Sequence, residues 1–418
     1  MSWRSQRVEK MLSSLYLVSL VLLRLLRLSR SSSLQRPILA DMSLDTTQIS
    51  PCLFIQTKTL EEILILCHNE YMASVYTDIM YGKNNGGITM ARKYVYTNQK
   101  GGVTKTTAAI NTAVMATLSG KRSLLVDMDG QGNSTWASGY NPDYLEHTIY
   151  KAMQGTSTIQ QALRPTYFDP KTGIFFDPSD EKTIEILGIG TLEDARRGPD
   201  LLPNNILAGS ADSELQDNPT WGILLRDLLA ELDGQYDEMH IDTNPSLGKM
   251  TINALYTGTD IVIPMTPEAW SMQGMIQLVR SVVQAQKANK ALRVAGIAFT
   301  RVRYASHQDV MRHVREVLLP DINKQYPDLR LSCFYAVIHE GALFGEAVNS
   351  RTNVILANPY SSFALEYWRL YGELLNKTGG EGVQVVAETY KRLYQLYQAD
   401  FEKKQAKKQA RTGAGKAE

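Results

Sequence analysis

Two glycines, Gly101 and Gly102, stand shortly before Lys105, Thr106 and Thr107 in the stretch NQKGGVTKTTAAI at residues 98–110. Glycine lets the backbone approach an anion closely because no Cβ intervenes, and successive N–H groups at a helix start make a cradle for phosphate. A lysine behind that turn is a mobile point charge for the β and γ phosphates of a nucleotide, and the hydroxyl after it can ligate Mg2+. The residues therefore predict a phosphate loop over Lys100, Gly101, Gly102, Val103, Thr104, Lys105, Thr106 and Thr107. Two of them are out of the ordinary. Lys100 adds a cation before the glycines, and Thr104 fills the place before Lys105 where glycine is usual. Threonine there costs about 1 kcal/mol if the backbone must take a positive φ, which predicts a slower site that still binds.

These groups need a frame. Short apolar runs recur at residues 94–97, 123–126, 239–241, 261–265 and 294–300, each bounded by charged or turn residues. Residues 106–119 carry Ile110, Ala113, Val114 and Leu118 on one helical face, with Gly120 as the stop. Such alternation predicts βαβ units: an α/β fold with a mostly parallel twisted sheet, flanked by helices on both faces. The stretch TYFDPKTGIFFDP at residues 166–178 breaks the alternation and predicts an inserted hairpin around its DPKTG turn.

The 418 residues, 44% hydrophobic and 21% charged, suffice for a large buried core. A net charge of +1 means that any basic surface must be local. Cys52, Cys67 and Cys333 lie far apart, which fits a reducing cytosol and excludes a disulfide framework. The six histidines do not cluster either, which argues against a metalloenzyme built from protein ligands alone.

The ends differ from the middle. Residues 11–23 (MLSSLYLVSLVLL) are apolar but too short to span a membrane, and no small-residue cleavage site follows. Residues 1–89 are expected to be an extension upstream of a true start at Met90. The codons of Gly86 and Gly87 can spell a ribosome-binding purine run just before it. At the other end Tyr390, Leu393, Tyr394, Tyr397 and Phe401 share a helical face. Lys403, Lys404, Lys407, Lys408 and Arg411 follow as a basic tail, either solvated or a DNA-touching arm. The expected domains are thus 1–89, a core at 90–376, and 377–418 as helix and tail.

The segment KGGVTKTT resembles the deviant Walker A motif of the ParA/MinD ATPases, within the P-loop NTPase fold, and other segments extend the likeness. DMDGQGNST at residues 127–135 is similar to the segment after that family's second strand. YDEMHIDTNPSLG at 236–248, DIVIPMTPE at 260–268 and LLPNNILA at 201–208 are similar to others, over roughly residues 92–375. The resemblance implies ATP and Mg2+ sandwiched between two subunits, with Lys100 crossing to the partner's phosphates. A cation supplied in this way would act as an arginine finger does. It also implies that Asp129 orients the attacking water, that Thr106 and Asp242 serve Mg2+, and that Asp127 is a Mg2+-side or structural residue.

Departures from the family pattern mark what does not carry over. Gly130 and Asn244 stand where proline is common, and Arg351 where glycine is. VIHEGAL at 337–343 lacks both arginines of the family's VIPRNVR, and Glu346 and Ala347 then match its EA pair. Arg301, Arg303, Arg312, Arg315 and Arg351 are the substitute candidates for DNA contact. The expected function is that of a ParA-type partition ATPase: a homodimer on ATP, bound to DNA non-specifically, acting with a ParB-type partner on plasmid or chromosome. Its expected place is the cytoplasm, associated with the nucleoid, with no membrane partner. A MinD-like division regulator and a bacterial tyrosine kinase-like protein are the alternatives. The first would need a membrane-binding helix with a bulky apolar face, and buried packing explains the tyrosines more simply than the second.

Overall fold

Strand residues alternate between two apolar clusters, and that alternation defines the molecule. The computed structural model describes residues 91–268, 271–303, 305–341 and 350–414. The expected extension 1–89 and the start at Met90 lie outside the described residues. Ten strands occur among them: β1 Arg92–Tyr96, β2 Ser123–Met128, β3 Tyr167–Phe168, β4 Phe175–Phe176, β5 Arg196–Arg197, β6 Asp200–Leu202, β7 Glu238–Thr243, β8 Asp260–Met265, β9 Arg293–Val302 and β10 Cys333–His339. Seven form one sheet in the order β10-β9-β8-β1-β7-β2-β6, and every pairing in it is parallel.

On one face Val95, Leu124, Val126, Met239, Ile241, Ile261 and Ile263 enter a single cluster. It includes Leu255 of α2 (Lys249–Thr257) and Leu278 of α3 (Ser271–Ala288), with Met311 of α4 (Ala305–His313). On the other face Tyr94, Tyr96, Leu125, Val262 and Phe334 pack with Val114 and Met115 of α1 (Lys105–Leu118) and Trp368 of α5 (Ser362–Thr378). A parallel sheet covered on both faces requires strands apolar at every position, which explains the near-continuous runs. β1 sits at the switch point, with β8 on one side and β7 on the other. In open α/β sheets the crevice beyond such a point is where ligands bind.

A buried polar network lies between the sheet and α1 and α5. His240 Nδ1 lies 3.1 Å from both Tyr96 Oη and Thr112 Oγ1, and its Nε2 is 3.4 Å from Glu238 Oε2. Burial pushes its pKa down, against the opposing charge of Glu238. Glu238 also accepts from Tyr371 Oη at 2.9 Å and pairs with Lys121.

The aromatic stretch forms its own small sheet. β3 pairs antiparallel with β4 and with β5. Asp169 closes the turn by accepting from Lys171 N at 3.0 Å and Thr172 Oγ1 at 2.6 Å. Gly173 has φ 70°, and a Cβ there would lie 2.5 Å from Ala357 N, so only glycine fits.

The basic C-terminal run departs from the expected tail, because it is helical. α6 spans Val383–Ala414 without a break. Lysine, glutamine and alanine are good helix formers and extend the element once its start is docked. The stripe stacks as Tyr390–Tyr394, Tyr394–Tyr397 and Tyr397–Phe401, with centroids 6.0, 6.4 and 6.3 Å apart. Among the described residues no helix is long and apolar enough to cross a membrane.

The buried network predicts an asymmetry. Lys121→Met leaves the Glu238 carboxylate buried without its cation, so urea unfolding should show a loss of about 3 kcal/mol. Removing the exposed partner of Asp237 in Arg122→Ala should shift the unfolding curve far less.

Candidate active site

The loop after β1 is tied down at several points. Asn98 is buried, donating from Nδ2 to Pro264 O at 2.7 Å and accepting from Lys100 N at 3.1 Å. Gly102 at φ 72° and Thr104 at φ 63° are both left-handed, and α1 begins at Lys105. The end of β9 holds two loop carbonyls. Thr300 Oγ1 donates to Val103 O at 3.2 Å, and Arg301 Nη1 donates to Gly102 O at 3.0 Å. Carbonyls held outward leave the opposite side of the loop for an anion, as a phosphate cradle requires.

Lys105 is buried and arches back, its Nζ donating to Lys100 O at 3.2 Å. Burial lowers its pKa, while the charges of Asp242 and Asp129 oppose that shift. Thr106 Oγ1 donates to Asp242 Oδ2 at 2.7 Å, and Ser134 Oγ donates to the same oxygen at 2.8 Å. Asp242 Oδ1 is buried with no hydrogen-bond partner among the described residues. A carboxylate bonded on one oxygen and bare on the other, beside a threonine hydroxyl, fits a hydrated divalent cation. Thr107 is half-buried in the same first turn.

Asp129 is buried on the turn after β2 and accepts from Gln131 N at 3.0 Å. Asp127 holds that turn in place. It accepts from Asp129 N at 3.1 Å, Thr135 N at 2.9 Å and Thr135 Oγ1 at 2.8 Å. Burial, then the charge of Asp242, pushes Asp127 up to about 8. Burial and the charge of Asp129 push Asp242 up to about 6. Lys100 lies on the rim, half-exposed and paired with Glu268 of its own chain. That pairing holds Glu268 below the usual carboxylate range.

The five arginines have scattered partners. Arg301 reaches the loop and also donates to Glu340 Oε1 from Nε at 3.1 Å and Nη2 at 2.9 Å, while Arg303 pairs with Glu340 as well. Arg312 pairs with Asp309 at 3.1 Å. Arg315 sits 5.3 Å from the centroid of Phe299. Arg351, at φ 56°, lies 4.0 Å over Trp136 and lines a cleft of about 390 Å³ with Asp177, Asp180 and Tyr144. Glu346 and Ala347 lie outside the described residues.

Three contributors were given no role by sequence reasoning. Ser134 lies inside the DMDGQGNST segment, so its signal was present. Asn204, from LLPNNILA, is fully buried with both amide atoms unpartnered among the described residues, beside Thr135. Thr300 had no local signal, because nothing in its neighbourhood announces a contact 197 residues back along the chain.

A strand ending in a glycine turn that opens a helix, with a lysine arched over it and a carboxylate behind its threonine, defines the class of phosphate-loop NTPases. A family profile described as an AAA domain matches residues 91–294. The chain is 30% identical over 301 residues to the chromosome partitioning protein ParA of Myxococcus xanthus, covering 72% of this chain and 93% of that one. It is 33% identical over 228 residues to the chromosome-partitioning ATPase Soj of Treponema pallidum, covering 54% of this chain and 78% of that one. A plasmid partition protein of Borrelia burgdorferi bound to AMPPNP shares the fold, with a TM-score of 0.50 at 20% identity over 69% of this chain and 99% of that one. The chain belongs to the ParA/Soj family of partitioning ATPases.

The raised carboxyls set a pH dependence. Each favours its protonated form in the fold. The stability they contribute is therefore complete below the ordinary carboxyl range and is lost as pH rises through about 6 for Asp242 and about 8 for Asp127. Asp242→Asn keeps two hydroxyl partners that can accept as well as donate. Without nucleotide or divalent metal, it should gain on the wild type by about 1–3 kcal/mol between pH 5 and pH 8 in urea unfolding. A pH-independent difference would rule out burial as the cause.

Proposed function

We propose that this chain hydrolyses ATP with Mg2+ as an ATP-dependent homodimer that binds DNA without sequence preference and acts with a ParB-type partner in partition. The observation that supports it most is Asp242, bonded to Thr106 and Ser134 on one oxygen and unpartnered on the other, directly behind the loop. Mg2+ beside Thr106 and Asp242 would offset charge on the β and γ phosphates. Lys105 gives up Lys100 O for phosphate oxygens, which replace a neutral acceptor with anionic ones. Asp129, fixed by the Asp127 turn, orients the attacking water; phosphoryl transfer through a loose transition state needs positioning more than base strength.

Lys100 exchanges Glu268 for the phosphates of the second subunit. Both partners are half-exposed, so breaking the pair costs roughly 0–1 kcal/mol. Hydrolysis then waits on dimerisation. DNA contact comes from exposed cations such as Arg312 and Lys403 and is sensitive to salt. The cargo is a plasmid or a chromosome, and the site of action is the nucleoid in the cytoplasm.

Phosphate release with and without DNA, alongside light scattering with ATP, tests this. Asp129→Ala should lose hydrolysis by about 100-fold or more yet still dimerise, whereas Lys100→Ala should lose both. Full ATPase activity in either variant would defeat the role given to that residue.

A further inference from the structure

Two non-glycine residues near the loop hold left-handed backbone, and one hydrogen bond joins their neighbourhoods. Thr104 has φ 63° and ψ 29° as the residue capping α1, and its side chain makes no capping hydrogen bond. A β-branched residue in that region is strained. Its hydroxyl faces the Tyr367 hydroxyl of α5, and both groups are buried. Arg301, at the end of β9, is the second strained residue, with φ 54°. Its guanidinium donates to Gly102 O at 3.0 Å, two residues before Thr104. The same guanidinium is locked from behind, with Nε and Nη2 both on Glu340 Oε1. Arg303 adds a second cation to that carboxylate.

We infer that Arg301, held by Glu340, is a positioning residue for the phosphate loop, keeping Gly102 and Thr104 in the left-handed turn that glycine before the lysine would otherwise secure. This rests on the nucleotide-binding reading of the loop. Thr300 holds the next carbonyl, Val103 O, so two consecutive residues of β9 grip two consecutive residues of the loop. Only Arg301 is fixed by a carboxylate, and its planar fork can reach the loop carbonyl and Glu340 together. Lysine has no such fork. The brace acts through Gly102, and Arg301 itself need not touch the nucleotide.

A double-mutant cycle on the full chain tests the brace, with the Kd for fluorescent ADP as readout and the melting temperature as control. Arg301→Ala should weaken binding about tenfold, the fold-change expected for losing one charge-assisted hydrogen bond, with little change in melting. Combined with Thr104→Gly, which removes the Cβ strain, the same change should cost only about threefold or less. A structural role alone would not give that suppression. Equal losses in the two backgrounds, or no loss in either, would overturn the brace. If Arg301→Ala does not fold, Glu340→Gln in both backgrounds decides. It should act in the same direction but more weakly, because the carbonyl contact survives while its anchor loses charge. Wild-type protein that binds no nucleotide would overturn the nucleotide reading and the brace with it. Wild-type binding with Arg301→Ala unchanged would overturn the brace alone.

Discussion

A carboxylate buried at the end of a central strand must be met by donors or by a cation, and Asp242 imposes that demand on everything around it. One oxygen gathers Thr106 from α1 and Ser134 from the short helix at Asn133–Ala137. The other is left bare. The phosphate loop, the turn after β2 and strand β7 are thus drawn to one point by electrostatic need. A protein interior tolerates such an arrangement only where function requires it.

The rest of the fold makes that point rigid. β1 and β7 pair in parallel register from Arg92 with Glu238 through Tyr96 with Asp242, which places the loop and the carboxylate at the same end of the sheet. α1 is held against β7 by apolar packing and by the His240, Tyr96 and Thr112 contacts. The free edge of β10 is closed from α5. Glu373 accepts from Tyr335 N at 2.6 Å and Ala336 N at 2.8 Å, and Glu366 accepts from His339 N at 2.8 Å. Carboxylates that occupy strand N–H groups also discourage unwanted pairing with another chain.

Thr104 shows how local strain is borne by distant structure. Its backbone adopts the left-handed conformation that glycine would take without cost. Nothing within α1 compensates. What holds the turn is the grip of Thr300 and Arg301, residues that reach it only because β9 runs parallel to β8 and β8 to β1. Strain of this kind persists where surroundings over-determine a conformation.

The chain by itself determined the fold class, because short, near-continuous apolar runs separated by helical stretches leave few other ways to bury both faces of a sheet. It also singled out Lys105 and Thr106 by residue type and local spacing, and Asp242 by the family resemblance of the segment around it. Tertiary structure alone decided what those residues touch. The bond from Thr106 to Asp242, the hold of Glu268 on Lys100, and the contact of Arg301 with Gly102 all join segments more than a hundred residues apart. Arg301 illustrates the gap most clearly. A lone arginine in a sequence reads as surface charge, and only the strand that carries it past the loop gives its guanidinium a carbonyl to bind. Sequence spacing fixes local geometry, whereas long-range contacts exist only once the sheet has brought its strands side by side.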